Sequence, residues 1–259
     1  MTVIEALILG IIQGLTEFLP VSSSGHLVIF QHIMGLQEGS IAFDVLLHLG
    51  TLLAVFIAFW EDIASIIKQP FSKLTYLVLV GCIPAALMGF FLEPLFEQAF
   101  ESLLVVGISL LITGAVLKIS EKMAERSFDM KGIQDTSYGD VLFIGLLQGI
   151  AIVPGISRSG STIAGGLMAG LERTWAARYS FLVAIPVIFG AGLAHMKDIS
   201  EQGMNGLFLP YLVGFLAAVL FGYLAIKIVM QLVRQGRLSI FSYYCWALGT
   251  ITILASFWF

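Results

Sequence analysis

The chain has 259 residues, and its composition excludes an ordinary soluble fold. Hydrophobic residues make up 58% of it and charged residues 12%, with a mean hydropathy of +0.97, which is the composition of an integral membrane protein. A formal net charge of −4 excludes a broadly basic surface, so no nucleic-acid partner is expected. The two cysteines have no CxxC spacing, and neither a disulfide framework nor a zinc site is predicted.

In chain order, the predicted elements are two long, interrupted apolar regions, each followed by three spanning helices of about 20 residues. The first region covers residues 2–34 and precedes spans near 42–60, 74–92 and 102–117. The second covers residues 140–171 and precedes spans near 178–195, 208–229 and 240–259. Pro, Gly and Ser break both regions, and broken backbone at membrane depth requires surrounding protein or a water-filled cavity. Each region therefore predicts a re-entrant helix hairpin.

The two interrupted regions are copies of each other. A constant offset of 135 residues pairs Gly10 with Gly145, Gln13 with Gln148, Gly14 with Gly149, Ser22 with Ser157, Ser24 with Ser159 and Gly25 with Gly160. The same offset superposes the three spans of each half. Each half is thus one re-entrant hairpin plus three transmembrane helices. Because three is odd, the halves have opposite orientation, which is an inverted-topology repeat.

Charge counting supports this arrangement over one in which both regions cross the membrane. With two re-entrant hairpins, one face collects eleven basic residues and the other only Lys197, whereas two crossing regions divide the same residues seven to five. The eleven are Lys68, Lys73, Lys118, Lys122, Arg126, Lys131, Arg173, Arg178, Lys227, Arg234 and Arg237. The positive-inside rule makes their face cytoplasmic, so both termini and the mouth of the first hairpin are predicted outside.

The fold class predicted is an all-α polytopic membrane protein with a single membrane domain over residues 1–259. Repeat one covers residues 1–118 and repeat two covers residues 136–259, joined by a cytoplasmic loop at 119–135.

Polar residues at membrane depth are costly, about 2.5–3.5 kcal/mol for a central arginine, so those in the hairpins indicate function. In the first hairpin Gln13 and Glu17 share a helix face just before Pro20, and Ser23 and His26 lie in the second half-helix. In the second hairpin, a Ser/Gly-rich turn leads into a half-helix through Ser157, Arg158, Ser159 and Thr162. Free N–H groups at a helix start, hydroxyl donors and an arginine are what a phosphate group needs.

Some of these residues have a second interpretation. Serine, glycine and proline also cap re-entrant helices and let them pack closely, and Glu17 and His26 are also compatible with a structural polar pair. A buried guanidinium such as that of Arg158 is not required for capping. Asp44 and His48, spaced i, i+4 at the start of a span, are either a polar pair at the interface or further members of the same site.

The blocks QGLTEFLPVSSSGH at 13–26 and PGISRSGST at 154–162 resemble the two signature regions of the bacterial undecaprenyl-diphosphate phosphatase family, the bacitracin-resistance type. The likeness extends over essentially the whole chain. It implies a hydrolase of the bacterial plasma membrane that removes the terminal phosphate of undecaprenyl diphosphate, recycling the carrier lipid for cell-wall synthesis, with a site opening to the extracytoplasmic side. The implied partners are this polyprenyl diphosphate lipid and the membrane.

The resemblance carries the family's catalytic residues onto Glu17, Ser23, His26 and Arg158, and its substrate-binding residues onto Gln13, Ser157 and Thr162. Ser159, in the same turn, is a further predicted substrate-binding residue. Either Ser23 or His26 is the nucleophile: a serine needs a nearby base, for which His26 or Glu17 is placed, whereas a histidine forms a phosphohistidine.

The same resemblance implies a divalent cation, Mg²⁺ or Ca²⁺. Gln13 stands where many relatives have Glu, so Glu17 is the one carboxylate ligand expected, together with an amide oxygen and phosphate oxygens. The alternative function is a transporter or lipid flippase, because inverted repeats with facing broken helices are transporter architecture. A carrier needs the phosphate cradle but neither Ser23 nor His26.

Overall fold

The computed structural model describes residues 1–33, 41–100, 102–125, 130–194 and 207–257. Within these ranges the regular elements are helices, with one isolated bridge between Lys131 and Leu171. In chain order they are α1 (Val3–Phe18), α2 (Ser23–Ile33), α3 (Ile41–Ala58), α4 (Trp60–Lys68), α5 (Lys73–Phe91), α6 (Glu93–Phe100), α7 (Leu103–Ala124), α8 (Tyr138–Ile150), α9 (Arg158–Met168), α10 (Arg173–Ala194), α11 (Phe208–Arg234) and α12 (Ser239–Ala255). The predicted all-α class is confirmed for these ranges.

Several helices have the length and composition to cross a membrane. Four of them, α5, α7, α10 and α11, are long and apolar enough by themselves, and α3 qualifies together with α4 despite a bend of 81° between them. Helix α12 is apolar and slightly shorter, with 17 residues. A helix therefore lies at each of the six predicted spans, as expected for a multi-pass membrane protein.

Three helix boundaries differ from those predicted, and polar side chains lie at each of them. Helix α7 continues beyond residue 117 to Ala124, into the segment predicted as a loop at 119–135, and its buried Glu121 accepts the backbone N–H groups of Leu238 and Ser239 at the start of α12, at 2.9 and 2.6 Å. Helix α10 begins at Arg173 rather than near 178, because the Glu172 carboxylate accepts two N–H groups of its first turn.

The third difference is at the end of the first span. The helix predicted to reach about residue 60 ends at Ala58, and α4 begins as a separate helix at Trp60. Asp62 in the first turn of α4 forms an ion pair with Arg178 of α10, which ties α4 to the bundle. Arg126 and Lys197, which entered the charge count, lie outside the described residues.

The two halves of the chain are interleaved. Helix α1 packs against α11, α8 packs against α5, and α7 packs against α12. The first two contacts are made backbone to backbone: a Cβ at Gly10 would collide with the carbonyl oxygen of Gly214, and one at Gly145 with that of Gly81. This exchange of helices brings the break at residues 19–22, after α1, next to the break at residues 151–157, after α8.

Candidate active site

Each break ends one helix and starts the next in the protein interior. Pro20 has no N–H to continue α1, and Ser22, at φ +69°, turns the chain into α2, which begins at Ser23. In the second break Gly155 has φ +91°, and Ser157 then caps α9 by accepting the N–H of Gly160 at 3.0 Å. Two helix N-termini, at Ser23 and Arg158, therefore begin at the breaks.

The two breaks touch, which confirms that the two sequence motifs meet. The hydroxyl of Ser22 accepts the backbone N–H of Gly155 at 3.1 Å. A side chain at Gly155 would collide with the backbone of Val106, so glycine is required there by both its φ and its surroundings. Thr113 of α7 fixes the same break, donating to the carbonyl of Gly155 at 3.0 Å and accepting the N–H of Ser157 at 3.1 Å.

Glu17 lies at the centre of the contact between the breaks, with only 5% of its side chain exposed. Its Oε1 accepts Nη2 of Arg158 at 2.5 Å. Its Oε2 accepts Nε2 of Gln13 at 2.9 Å and the hydroxyl of Ser23 at 2.6 Å. The acid predicted in one motif and the cation predicted in the other thus form a buried ion pair, with the predicted serine bonded to it.

Arg158 also contacts the backbone of α10. Its Nη1 lies 3.5 Å from the carbonyl oxygen of Ser180, and its side chain is 15% exposed. A guanidinium has five N–H donors, and the described residues supply acceptors for two of its nitrogens. The remaining donors suit a bound anion.

His26 is fully engaged within the protein. Its Nδ1 lies 2.7 Å from the carbonyl oxygen of Ser22, which only accepts, so Nδ1 carries the proton. Its Nε2 then accepts the hydroxyl of Tyr244 at 2.7 Å, and the two rings stack at 5.7 Å. The lone pair that a histidine nucleophile needs is therefore occupied by Tyr244.

The hydroxyls of the second motif bind protein atoms. Ser157 caps α9, Ser159 donates to the carbonyl of Leu19 at 3.2 Å, and Thr162 shares a 2.5 Å hydrogen bond with Ser180. These contacts match the capping and packing interpretation of the sequence. Substrate binding by Ser157, Ser159 and Thr162 stays a prediction.

His48 reaches the site, whereas Asp44 does not. Nε2 of His48 lies 3.7 Å from Oε2 of Glu17, and the Asp44 carboxylate instead accepts Nε2 of Gln31 at 3.2 and 3.3 Å. From the sequence, Asp44 and His48 were either a polar pair at the interface or further members of the site. Thr113, Ser180 and Tyr244 were missed, and the one signal available for the first two was a hydroxyl within an apolar span.

The described residues do not form a cation site by themselves. They contain no cluster of three His, Cys, Asp or Glu side chains suited to a metal ion. The charge of Glu17 is balanced by Arg158, and both of its oxygens have donors. Oε1 of Gln13 is the one oxygen beside the carboxylate that is buried without a partner among the described residues.

The arrangement has the parts of a phosphoryl-transfer site: a hydroxyl bonded to a carboxylate, a guanidinium with donors to spare, and the N-termini of two helices. Charge developing on a transferred phosphoryl group would be stabilised by the guanidinium and the helix N-termini. Removal of the hydroxyl proton requires an acceptor within hydrogen-bond reach. Oε2 of Glu17 is such an acceptor for Ser23.

Comparison with known proteins gives consistent results across the chain. The family model described as bacitracin resistance protein BacA matches residues 6–251. An undecaprenyl-diphosphatase of Carboxydothermus hydrogenoformans is 47% identical over 253 residues, covering 96% of this chain and 95% of that protein. One of Halothermothrix orenii is 47% identical over 257 residues, with 98% of each chain covered. Undecaprenyl-diphosphatase 3 of Bacillus cereus is 41% identical over 255 residues, with 98% and 97% covered.

Proposed function

The chain belongs to the bacitracin resistance protein BacA family, and on that premise we propose how its site hydrolyses undecaprenyl diphosphate to undecaprenyl phosphate and inorganic phosphate. The observation that carries the proposal is the buried contact of Arg158 and Ser23 with the same carboxylate, Glu17. A phosphate cradle, a nucleophile and its base thus lie within one hydrogen-bonded group. The enzyme is an undecaprenyl-diphosphatase, and its activity regenerates the carrier lipid.

Binding uses the free donors of the site. The terminal phosphate accepts the remaining N–H groups of Arg158 and backbone N–H groups of the first turns of α2 and α9. A dianionic phosphate supplies the negative charge that offsets the desolvation of the guanidinium. The polyprenyl chain extends into the lipid from the diphosphate.

The nucleophile in this proposal is Ser23 rather than His26. The Ser23 hydroxyl already donates to Glu17 at 2.6 Å, whereas the lone pair of His26 accepts the hydroxyl of Tyr244. Attack by Ser23 on the terminal phosphorus forms a phosphoserine and breaks the anhydride bond, and water then releases phosphate. His26 holds the turn through its bond to the Ser22 carbonyl.

The proposal includes a divalent cation that binds together with the diphosphate. Phosphate oxygens would supply most of its ligands and Gln13 Oε1 the protein's share, and the ion would neutralise charge on the phosphates. Mg²⁺ alone should leave the midpoint of thermal unfolding unchanged, and Mg²⁺ with a lipid diphosphate should raise it. A midpoint raised by Mg²⁺ alone would indicate a cation site built by the protein and contradict this part.

The experiment that tests the function measures phosphate release from detergent-solubilised undecaprenyl diphosphate by the purified protein. Multiple turnover with release of one phosphate per lipid supports hydrolysis. Lipid movement in proteoliposomes without phosphate release would support the transporter alternative instead. That alternative is the weaker one, because a carrier has no use for a serine bonded to a buried carboxylate.

For the architecture we propose an inverted-topology repeat of two halves, each one re-entrant hairpin and three spans. Two observations support it. Helices α1 and α8, which correspond under the repeat, each pack against a helix of the other half. The backbone of Lys131, before α8, exchanges 2.9 Å hydrogen bonds with Gly170 and Glu172, after α9, so this hairpin enters and leaves on one side.

For the orientation we propose that both termini and the site mouth lie outside the bacterial plasma membrane. Cysteine replacing Gln98 should react with an impermeant thiol reagent in intact cells, and cysteine replacing Gln134 only after permeabilisation. Both positions are exposed, so the membrane alone decides their reactivity. The background should carry Cys82→Ser and Cys245→Ser, because these are the two native thiols. Labelling in the reverse order would contradict the proposed orientation.

A further inference from the structure

Among the described residues, His48 is the one titratable side chain next to the catalytic carboxylate that the mechanism above does not use. It comes from α3, outside both sequence motifs, and its Nε2 lies 3.7 Å from Oε2 of Glu17. This is the same carboxylate oxygen that accepts the Ser23 hydroxyl at 2.6 Å. His48 and Ser23 therefore contact one oxygen.

The hydrogen bond on the other side of the ring defines what Nε2 can do. Nδ1 of His48 lies 2.8 Å from the backbone carbonyl oxygen of Asp44, and a carbonyl only accepts, so Nδ1 carries a proton. In the neutral ring the lone pair is then on Nε2, which lies 3.7 Å from Oε2 of Glu17. It is ready to take a proton, and the resulting imidazolium would face a carboxylate.

The surroundings of His48 favour that transfer. The charged groups facing it are Glu17 from α1 and, across the carboxylate, Arg158 from α9. Asp44 on its own helix is directed to Gln31. Arg158 stabilises the charged form of Glu17, so a proton received from Ser23 is held weakly there and passes to a stronger base.

His48 is the more accessible of the two side chains. The side chain of His48 is 34% exposed, and that of Glu17 is 5% exposed. When substrate and products are fully ionised, hydrolysis of the diphosphate releases one proton per turnover. That proton starts at a buried carboxylate and has to reach water.

We propose that His48 is a proton-transfer residue of the phosphatase, taking the Ser23 proton from Glu17 and delivering it to solvent. This rests on the proposed function. In the first step the Ser23 oxygen bonds to phosphorus, the anhydride bond breaks with its electron pair going to the lipid phosphate, and the serine proton moves through Glu17 to Nε2. In the second step water bonds to phosphorus, one of its protons returns to Ser23, and the other leaves on the phosphate.

Two substitutions separate proton transfer from a merely structural role. His48→Gln places an amide near Glu17 that cannot take up a proton, and His48→Ala leaves space for a small base. Both should lower kcat by about 10²-fold, within the range of general acid–base groups, with KM for the lipid diphosphate unchanged. Added imidazole at fixed pH should restore kcat of His48→Ala in proportion to its concentration.

The controls distinguish this proposal from the function on which it rests. His32→Ala removes an exposed histidine at the end of α2 and should retain wild-type kcat, and Ser23→Ala should not respond to imidazole. Near wild-type kcat in His48→Gln, or no imidazole response in His48→Ala, would overturn the role of His48 while leaving the function intact. Absence of hydrolysis in the wild type would instead remove the proposed function.

Discussion

Replacing Arg158 by alanine should lower the rate of phosphate release by about 10²–10³-fold, the effect of removing one buried donor to a developing oxyanion. Arg158→Lys should recover only a small part, because lysine keeps the charge but loses the planar fork that binds Glu17 and a phosphate together. Phosphate release by the purified variants measures this. The matched control is Arg173→Ala, which also removes an arginine from the first position of a helix and should retain near wild-type activity.

The same substitution should also lower stability. Glu17 would be left as a buried carboxylate without its cation, which typically costs about 3–5 kcal/mol. Thermal unfolding should show Arg158→Ala less stable than Arg158→Ala with Glu17→Gln, although both variants lose most of the wild-type activity. Wild-type activity in Arg158→Ala would remove the phosphate cradle from this site.

Replacing Ser23 by alanine should abolish hydrolysis, with a loss of about 10⁴-fold or more, as expected for a nucleophile. The protein should remain folded, because Glu17 is the one hydrogen-bond partner of the Ser23 hydroxyl among the described residues. In the variant, Glu17 keeps its ion pair with Arg158. Ser24→Ala is the matched control, since the Ser24 hydroxyl bonds only its neighbour Ser22 among the described contacts, at 3.3 Å. Phosphate release should stay near wild type in that variant.

Stereochemistry at the terminal phosphorus separates the possible mechanisms further. A phosphoserine intermediate requires two displacements and gives retention of configuration with an isotopically chiral terminal phosphate. Inversion would mean direct attack by water and would contradict a covalent intermediate. A phosphohistidine also gives retention, so His26→Ala should be measured beside Ser23→Ala. A deeper loss in His26→Ala than in Ser23→Ala would transfer the nucleophile to His26.

The motif residues of this site were predictable from the sequence because membrane depth makes buried polar groups conspicuous. Glu17 and Arg158 are separated by 141 residues, as the ion pair shows. They could still be assigned to one place, since both lie beside a break in an apolar region and the two breaks are related by a repeat. A buried arginine needs an anionic partner, and Glu17 is that partner for Arg158, with Oε1 at 2.5 Å from Nη2.

The contacts that orient the site were not predictable in the same way. Tyr244, which occupies His26, lies 218 residues away in an apolar helix, where a tyrosine suggests the membrane interface. Thr113 shares α7 with the hydroxyls of Ser109 and Ser120, and its role depends on two backbone groups of a distant break. Such contacts follow from how helices of the two halves interleave, which residue spacing within one helix does not encode.

Helix ends differed from the predicted spans for a related reason. The apolar pattern marks where lipid-facing surface ends, but polar side chains bind backbone N–H groups beyond that limit, Glu172 at the start of its own helix and Glu121 at the start of α12. Both glutamates can be read from the sequence, but their backbone partners cannot. For Glu121, those partners are brought close only when the chain folds.

The central claim is that Glu17 from one motif and Arg158 from the other act as one catalytic unit. A double-mutant cycle in kcat/KM for undecaprenyl diphosphate tests it most directly, with wild type, Glu17→Gln, Arg158→Ala and the combined variant. Each single change should cost about 10²–10³-fold, and the combined variant should be no slower than the slower single variant, because residues that act as a unit are strongly non-additive. A combined loss equal to the product of the two single losses would show that Glu17 and Arg158 act independently and contradict the shared site.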